Sequence, residues 1–276
     1  MAGSRSPILN VMSGAAKRVG RFLVRDYGEV DKLQVSIKGP GDFVSSADRK
    51  VEQTLREVLA KARPEWGFVT EEGDEIVGRD PDNRWIIDPL GGTTNFLHGL
   101  PHFCISIAHQ RGREIVAGVV YDPLRDETFA AEKGAGAYLN DNRLRVSARR
   151  DLAKAVLATG IPTIRSSDTI MPFMKQLVMV TGQVSAIRRF GSPALELAYV
   201  AAGRFDGYWE ADLRPWEIAA GLVLVREAGG FVTDLTGGGT MLESGDVLAT
   251  NPELHRPVMK LLEIAGRLPD WPQAGV

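Results

Sequence analysis

The spacing of hydrophobic positions changes several times along the chain, and each change marks an element. Ile8, Val11, Met12, Ala15, Val19, Phe22 and Leu23 recur every three or four residues across 7–26, which is the repeat of one helical face. Ser6 and Pro7 suit the helix start and Gly28 the stop. A second stripe, Val51, Leu55, Val58 and Leu59, predicts a helix over about 47–62, capped by Ser45 or Ser46 and ended by Pro64. The period then shortens. Residues 66–70, 84–88, 103–109, 114–121 and 127–132 read as strands, and the last three, separated by turn residues, predict an antiparallel meander. Asn140-Asp141-Asn142 reads as a turn.

From about residue 150 strands and helices alternate. Strands are predicted at 155–160, 184–190, 205–210, 231–235 and 247–250. Helices are predicted at 168–180, from Ser192-Pro193 to Ala202, from Pro215 to Ala228, and onward from Asn251-Pro252. Pro near a helix start is favoured because its missing N–H has no helical partner there. Strands grouped first and alternating units second predict an α+β half at 1–148 and an α/β half at 149–276.

Composition narrows the class without choosing a function. Of 276 residues, 44% are hydrophobic and 25% charged, as in globular chains and unlike disordered ones. With 33 Lys and Arg against 35 Asp and Glu, the formal charge is −2, where a dedicated nucleic-acid binder is usually basic. One cysteine, Cys104, excludes an internal disulfide framework and a multi-cysteine zinc site. No apolar run reaches the roughly 20 residues of a membrane span, and the first residues carry no signal-peptide apolar core. These features predict a soluble, cytoplasmic protein with no membrane partner. No GxxxxGK[ST], HExxH or GxSxG pattern occurs.

Four stretches carry candidate chemistry. In Trp85-Ile86-Ile87-Asp88-Pro89-Leu90-Gly91-Gly92-Thr93-Thr94-Asn95-Phe96 an apolar run delivers a carboxylate to a glycine-rich turn that opens a helix. Carboxylate oxygens suit a hard cation, and helix-start N–H groups suit a phosphate. Thr70-Glu71-Glu72-Gly73-Asp74-Glu75 sets adjacent carboxylates after a short strand. Asp48 and Glu217 each fall in a first helical turn, where the dipole alone favours negative charge. Taken singly, each stretch also reads as an ordinary turn or cap.

Taken together they resemble the inositol monophosphatase family, within the magnesium-dependent, lithium-sensitive phosphatases. GDFVSSADRKVE, VTEEG, WIIDPLGGTTNFLHG, GVVYDP, GSPALELAYVAAGRFDGYWE and RPWEIAAGLVLVREAGG follow the family's order. The resemblance implies a layered αβαβα sandwich, a homodimer, and Mg²⁺-dependent hydrolysis of a phosphorylated sugar or polyol. It implies that Glu71 binds the first metal and orients water, that Asp88 bridges metals, and that the Leu90 carbonyl is a ligand. It implies that Thr93, supported by Asp48, helps position the water. It places Gly92, Thr93 and Thr94 at the phosphate, and Gly191, Ser192 and Glu210 at the sugar ring.

Two positions depart from the family's pattern. Gly91 stands where the motif has its second aspartate, and Glu217 where Trp-Asp is expected. Both aspartates are second-metal ligands in the family. Gly91 offers no side-chain ligand; Glu217 keeps the charge on an arm about 1.5 Å longer. Two readings follow. In one, Glu217 compensates as a metal ligand and the chain is a phosphatase. In the other, the second site is lost and the chain is a catalytically weak phosphatase or an inactive binding or regulatory protein, since some bacterial relatives associate with the transcription machinery. The basic segment 143–154 (RLRVSARRDLAK) is then the candidate surface for nucleic acid or polymerase.

Overall fold

A computed structural model describes residues 6–27, 35–39, 42–162 and 167–269. Helix α1 (Pro7–Tyr27) and α2 (Ser46–Ala62) flank a hairpin of β1 (Val35–Gly39) and β2 (Asp42–Ser45). A larger sheet follows, built from β3 (Gly67–Thr70), β4 (Asn83–Gly91), β5 (Cys104–Arg111), β6 (Glu114–Asp122), β7 (Glu127–Glu132), β8 (Gly136–Leu139) and β9 (Asn142–Arg143). These strands lie side by side in chain order. The short helix α3 (Thr93–Leu97) follows β4.

The remaining elements alternate. They are β10 (Val156–Thr159), α4 (Ser167–Thr181), β11 (Ala186–Arg188), α5 (Pro193–Ala201), β12 (Gly207–Glu210), α6 (Pro215–Glu227), β13 (Phe231–Thr233), α7 (Met241–Ser244), β14 (Val247–Thr250) and α8 (Pro252–Gly266). The smaller sheet runs β11-β10-β12-β14-β13. β10 is parallel to both its neighbours, and β14 antiparallel to both of its own.

Hydrophobic patterning explains the layers. α1 buries one stripe, including Met12, Ala16, Val19 and Leu23, and packs with α2 on one face of the larger sheet. α5 and α6 are buried nearly all round, as Leu195–Ala201 and Ile218–Val225 show. A helix apolar on every side needs cover on every side, and these two lie between the sheets. α4 and α8 close the outer face of the smaller sheet. The result is the αβαβα sandwich that the sequence resemblance implies.

Several boundaries differ from the sequence expectation. The strand predicted at 84–88 continues through Pro89 to Gly91. Between Asp88 and Gly91 the register against β5 shifts, pairing Asp88 with Ser106 and Gly91 with Cys104. The extra residue is a bulge at a position where Pro has no N–H to give the ladder. The hairpin β1–β2 and the strands β8 and β9 were not predicted. All are short, two to five residues, which leaves little local pattern to read. The turn predicted at 140–142 is made by Asn140, at φ 52°, and Asp141 between β8 and β9, and Asn142 already opens β9. The proposed caps Ser45 and Ser46 and the stop Gly28 lie outside the residues whose side chains or backbone are described.

Candidate active site

The site forms where β4 ends. Asp88 is buried, and its Oδ1 accepts the Leu90 N–H at 3.0 Å, which fixes the carboxyl against the bulged backbone. Gly92 then adopts φ 98°, a left-handed conformation suited to glycine. A Cβ there would also meet the His102 carbonyl oxygen at 3.0 Å. The chain turns directly into α3, so the N–H groups of its first residues have no intrahelical acceptor. The Thr93 hydroxyl donates to the Leu90 carbonyl at 2.8 Å, tying the helix start to the strand end.

A cavity of about 160 Å³ opens here, lined by Glu71, Asp88, Leu90, Gly91, Gly92, Thr93, Thr94, Gly191, Pro193 and Glu217. Most of the residues expected at the site therefore share one space, although they come from distant parts of the chain. Asp48, Ser192 and Glu210 stand outside this lining. Asp48 is fully buried in the first turn of α2. One oxygen each from Asp48, Glu71 and Glu72 lie within 4.8 Å of one another.

The segment around Gly191 is tied to the glycine turn. Ser192 Oγ donates to the Gly91 carbonyl at 2.9 Å. Asn95 Nδ2 donates to His102 O at 2.8 Å and to Phe190 O at 2.6 Å. Beneath this loop, Glu196 accepts the Phe190 N–H at 2.8 Å. Burial pushes the Glu196 carboxyl up to about 7, against the opposing pull of the Phe190 N–H and the charge of Arg189. Glu210 receives the Tyr208 hydroxyl. Burial, reinforced by Glu196 and opposed by Tyr208 and Arg189, raises Glu210 to about 8.

Electrostatics and donor chemistry fit a hard cation. The Asp88 carboxyl is held well above the usual range, first by burial and then by the negative charges of Glu71, Glu217 and Asp48. Carboxylates crowded in this way are stabilised by a divalent cation, and oxygen donors are what Mg²⁺ prefers. Gly91 lines the cavity without offering a side-chain donor. A Cβ at Gly91 would lie 2.8 Å from Asp88 Oδ2 and 3.2 Å from Cys104 Sγ. Glu217 faces the cavity while its Oε2 accepts the Arg214 backbone N–H at 2.7 Å. Its partner at Arg214 is thus the main chain at the helix start.

Sequence reasoning missed Glu72 in the acidic group, Pro193 in the lining, and the Asn95 bridge. The doubled acid of Thr70-Glu71-Glu72-Gly73 was visible, but adjacency alone does not say which carboxylates converge. The Asn95 bridge spans 95 residues to Phe190 and leaves no local pattern. The basic segment is also less available than it reads. Arg149 Nε contacts both oxygens of the buried Asp206 at 3.0 Å, and Lys154 lies 3.5 Å from Asp151.

Comparison with known proteins agrees with this architecture. Residues 4–267 match the description "Inositol monophosphatase family". A Rhizobium meliloti protein named inositol-1-monophosphatase is 54% identical over 260 residues, covering 94% of this chain and 97% of that protein. The Escherichia coli K12 protein named Nus factor SuhB is 44% identical, covering 92% of this chain and 94% of its own length. The crystal structure of the extragenic suppressor protein suhB from Bartonella henselae superposes with a TM-score of 0.91 at 52% identity, covering 94% and 99% of the two chains. On its motifs, its layered fold and these matches, the chain belongs to the inositol monophosphatase family.

Proposed function

We propose that the chain hydrolyses a phosphate monoester with Mg²⁺, and that its substrate is inositol monophosphate or a related sugar phosphate. The carrying observation is one cavity lined both by carboxylates (Glu71, Asp88, Glu217) and by a glycine-rich helix start (Gly91–Thr94). Glu71, Asp88, the Leu90 carbonyl and Glu217 are the residues that would hold metal. Bound there, Mg²⁺ supplies charge neutralisation for phosphate oxygens and lowers the pKa of water. Glu71 orients the attacking water and receives its proton. Thr93 fixes the Leu90 carbonyl and, supported by Asp48 as the family resemblance implies, helps position the water. The N–H groups of Gly92, Thr93 and Thr94 receive the phosphate. Gly191, Ser192 and Glu210 serve the alcohol side, where the ester P–O bond breaks as the new P–O bond forms and the leaving oxygen takes its proton from solvent water.

Phosphate release from inositol 1-phosphate across a Mg²⁺ titration tests this. The unaltered protein should turn over, and Glu71→Gln or Asp88→Asn should lose about a hundredfold or more. Equal rates in all three proteins would overturn it. We extend the reading to a homodimer, as the family resemblance implies, and to the cytoplasm, as the composition predicts. Light scattering should then give twice the 30.0-kDa chain mass.

A second reading rests on the name Nus factor SuhB carried by relatives 43–44% identical in Pasteurella multocida and Escherichia coli. Binding to the transcription machinery or to RNA would use the exposed Arg145 and Arg150, because Arg149 is tied to Asp206. Salt-dependent RNA or polymerase binding that is lost in Arg145→Glu/Arg150→Glu supports it; no binding at low salt removes it.

A further inference from the structure

Glu71 stands on a turn whose two flanks are held by one buried carboxylate. Glu52, on α2, is 4% exposed. Its Oε1 accepts the Thr70 hydroxyl at 3.1 Å, and its Oε2 accepts the Glu72 N–H at 2.8 Å. Arg56 closes the network. Its Nε lies 3.2 Å from Glu52 Oε1, and its Nη2 donates to Thr70 Oγ1 at 2.6 Å and to the Asp74 carbonyl at 3.1 Å. Gly73 makes room, since a Cβ there would lie 2.1 Å from Arg56 Nη2. Beyond the turn, Phe68 and Ile76 exchange two backbone hydrogen bonds at 2.8 Å.

Asp48, Glu52 and Arg56 are four residues apart and so share one face of α2. The first joins the carboxylate group with Glu71 and Glu72; the second holds the turn that carries them; the third balances the buried charge. A buried carboxylate is costly unless paired and hydrogen-bonded, and an apolar side chain would fill a helix face more simply. Three carboxylate oxygens within 4.8 Å also repel one another before any cation arrives. A turn left to itself would relieve that repulsion by spreading.

We infer that Glu52 is a positioning residue for the metal site: by bonding Thr70 and Glu72 it fixes the backbone of Glu71 so that its carboxylate is presented ready for the cation. The inference rests on the phosphatase reading above and adds to it a residue that touches neither metal nor substrate. Groups that orient metal ligands typically change metal affinity by about 10- to 100-fold when removed.

The test uses the full chain with Mn²⁺ alone as probe, followed by electron paramagnetic resonance, with amide hydrogen exchange over 68–76 in metal-free protein. Glu52→Gln keeps the shape but loses one of the two acceptors. It should raise the Mn²⁺ Kd about tenfold or more and speed exchange across the turn. Glu227→Gln is the control. Glu227 accepts the Gly134 and Gly136 N–H groups at 2.9 and 2.8 Å, so its loss should lower Tm while leaving the Mn²⁺ Kd within about twofold of normal. If Glu52→Gln does not fold, Thr70→Val removes one of the two bonds and should raise the Kd several-fold. A Glu52→Gln or Thr70→Val protein that is folded and binds Mn²⁺ as tightly as the unaltered chain overturns the inference. An equal affinity loss in Glu227→Gln also overturns it. Failure of the unaltered protein to bind Mn²⁺ overturns the phosphatase reading itself, and the inference with it.

Discussion

At the scale of single residues, Gly91 and Glu196 carry the sharpest consequences. An aspartate at Gly91 would start 2.8 Å from Asp88 Oδ2, beside a carboxyl already raised by burial and by its acidic neighbours. Gly91→Asp should therefore lower Tm in chelator by about 4–8 °C, for a cost near 2 kcal/mol, and should regain more than the unaltered protein when Mg²⁺ is added. Differential scanning fluorimetry reads both. Phosphate release then separates the two readings of Glu217. A gain of about tenfold or more in Gly91→Asp/Glu217→Asp marks an impaired second metal site, whereas no gain marks compensation by Glu217. Glu196 makes a pH prediction. Its carboxyl sits at about 7, above its ordinary 4.5. The folded protein thus keeps a proton that the unfolded chain releases between those values, and stability falls as pH rises through that window. From pH 5 to pH 8 Glu196→Gln should gain up to roughly 3 kcal/mol relative to the unaltered protein, read from urea denaturation at the two pH values.

At the scale of elements, the site depends on how β4 stops. The apolar run and the glycine pair were legible in the sequence, and so was a carboxylate at the strand end. The bulge through Pro89 was not, because its register is set against β5. The same holds for α3, a five-residue helix too short to show a period. Its Asn95 links the glycine turn to the loop before α5 through the Phe190 carbonyl and to the segment before β5 through the His102 carbonyl. Asn95→Ala strips a donor from both, and a lost partner at a buried polar group costs about 1–3 kcal/mol. It should lower the urea midpoint accordingly. It should also raise KM more than it lowers kcat, since Gly191 on that loop lines the cavity.

At the scale of the whole molecule, the acidic residues form one reservoir of unfavourable charge. A formal charge of −2 hides it, because the sum is blind to Asp48, Glu71, Glu72, Asp88 and Glu217 converging. Mg²⁺ at a hundred times its Kd should stabilise the chain by about 2.7 kcal/mol, worth about 5 °C or more in Tm; EDTA should reverse it. An unchanged melting curve would count against a cation in this cavity. Sequence by itself determined the helices with long stripes, the strand meander and the motifs, because period, cap and turn chemistry are local. It also determined the two departures at Gly91 and Glu217, since those are matters of residue identity. Only the tertiary structure decided which carboxylates share one space, that Glu52 holds the turn bearing Glu71, and that Arg149 serves Asp206. Those facts depend on contacts between residues far apart in the chain, and such contacts follow from how the layers pack.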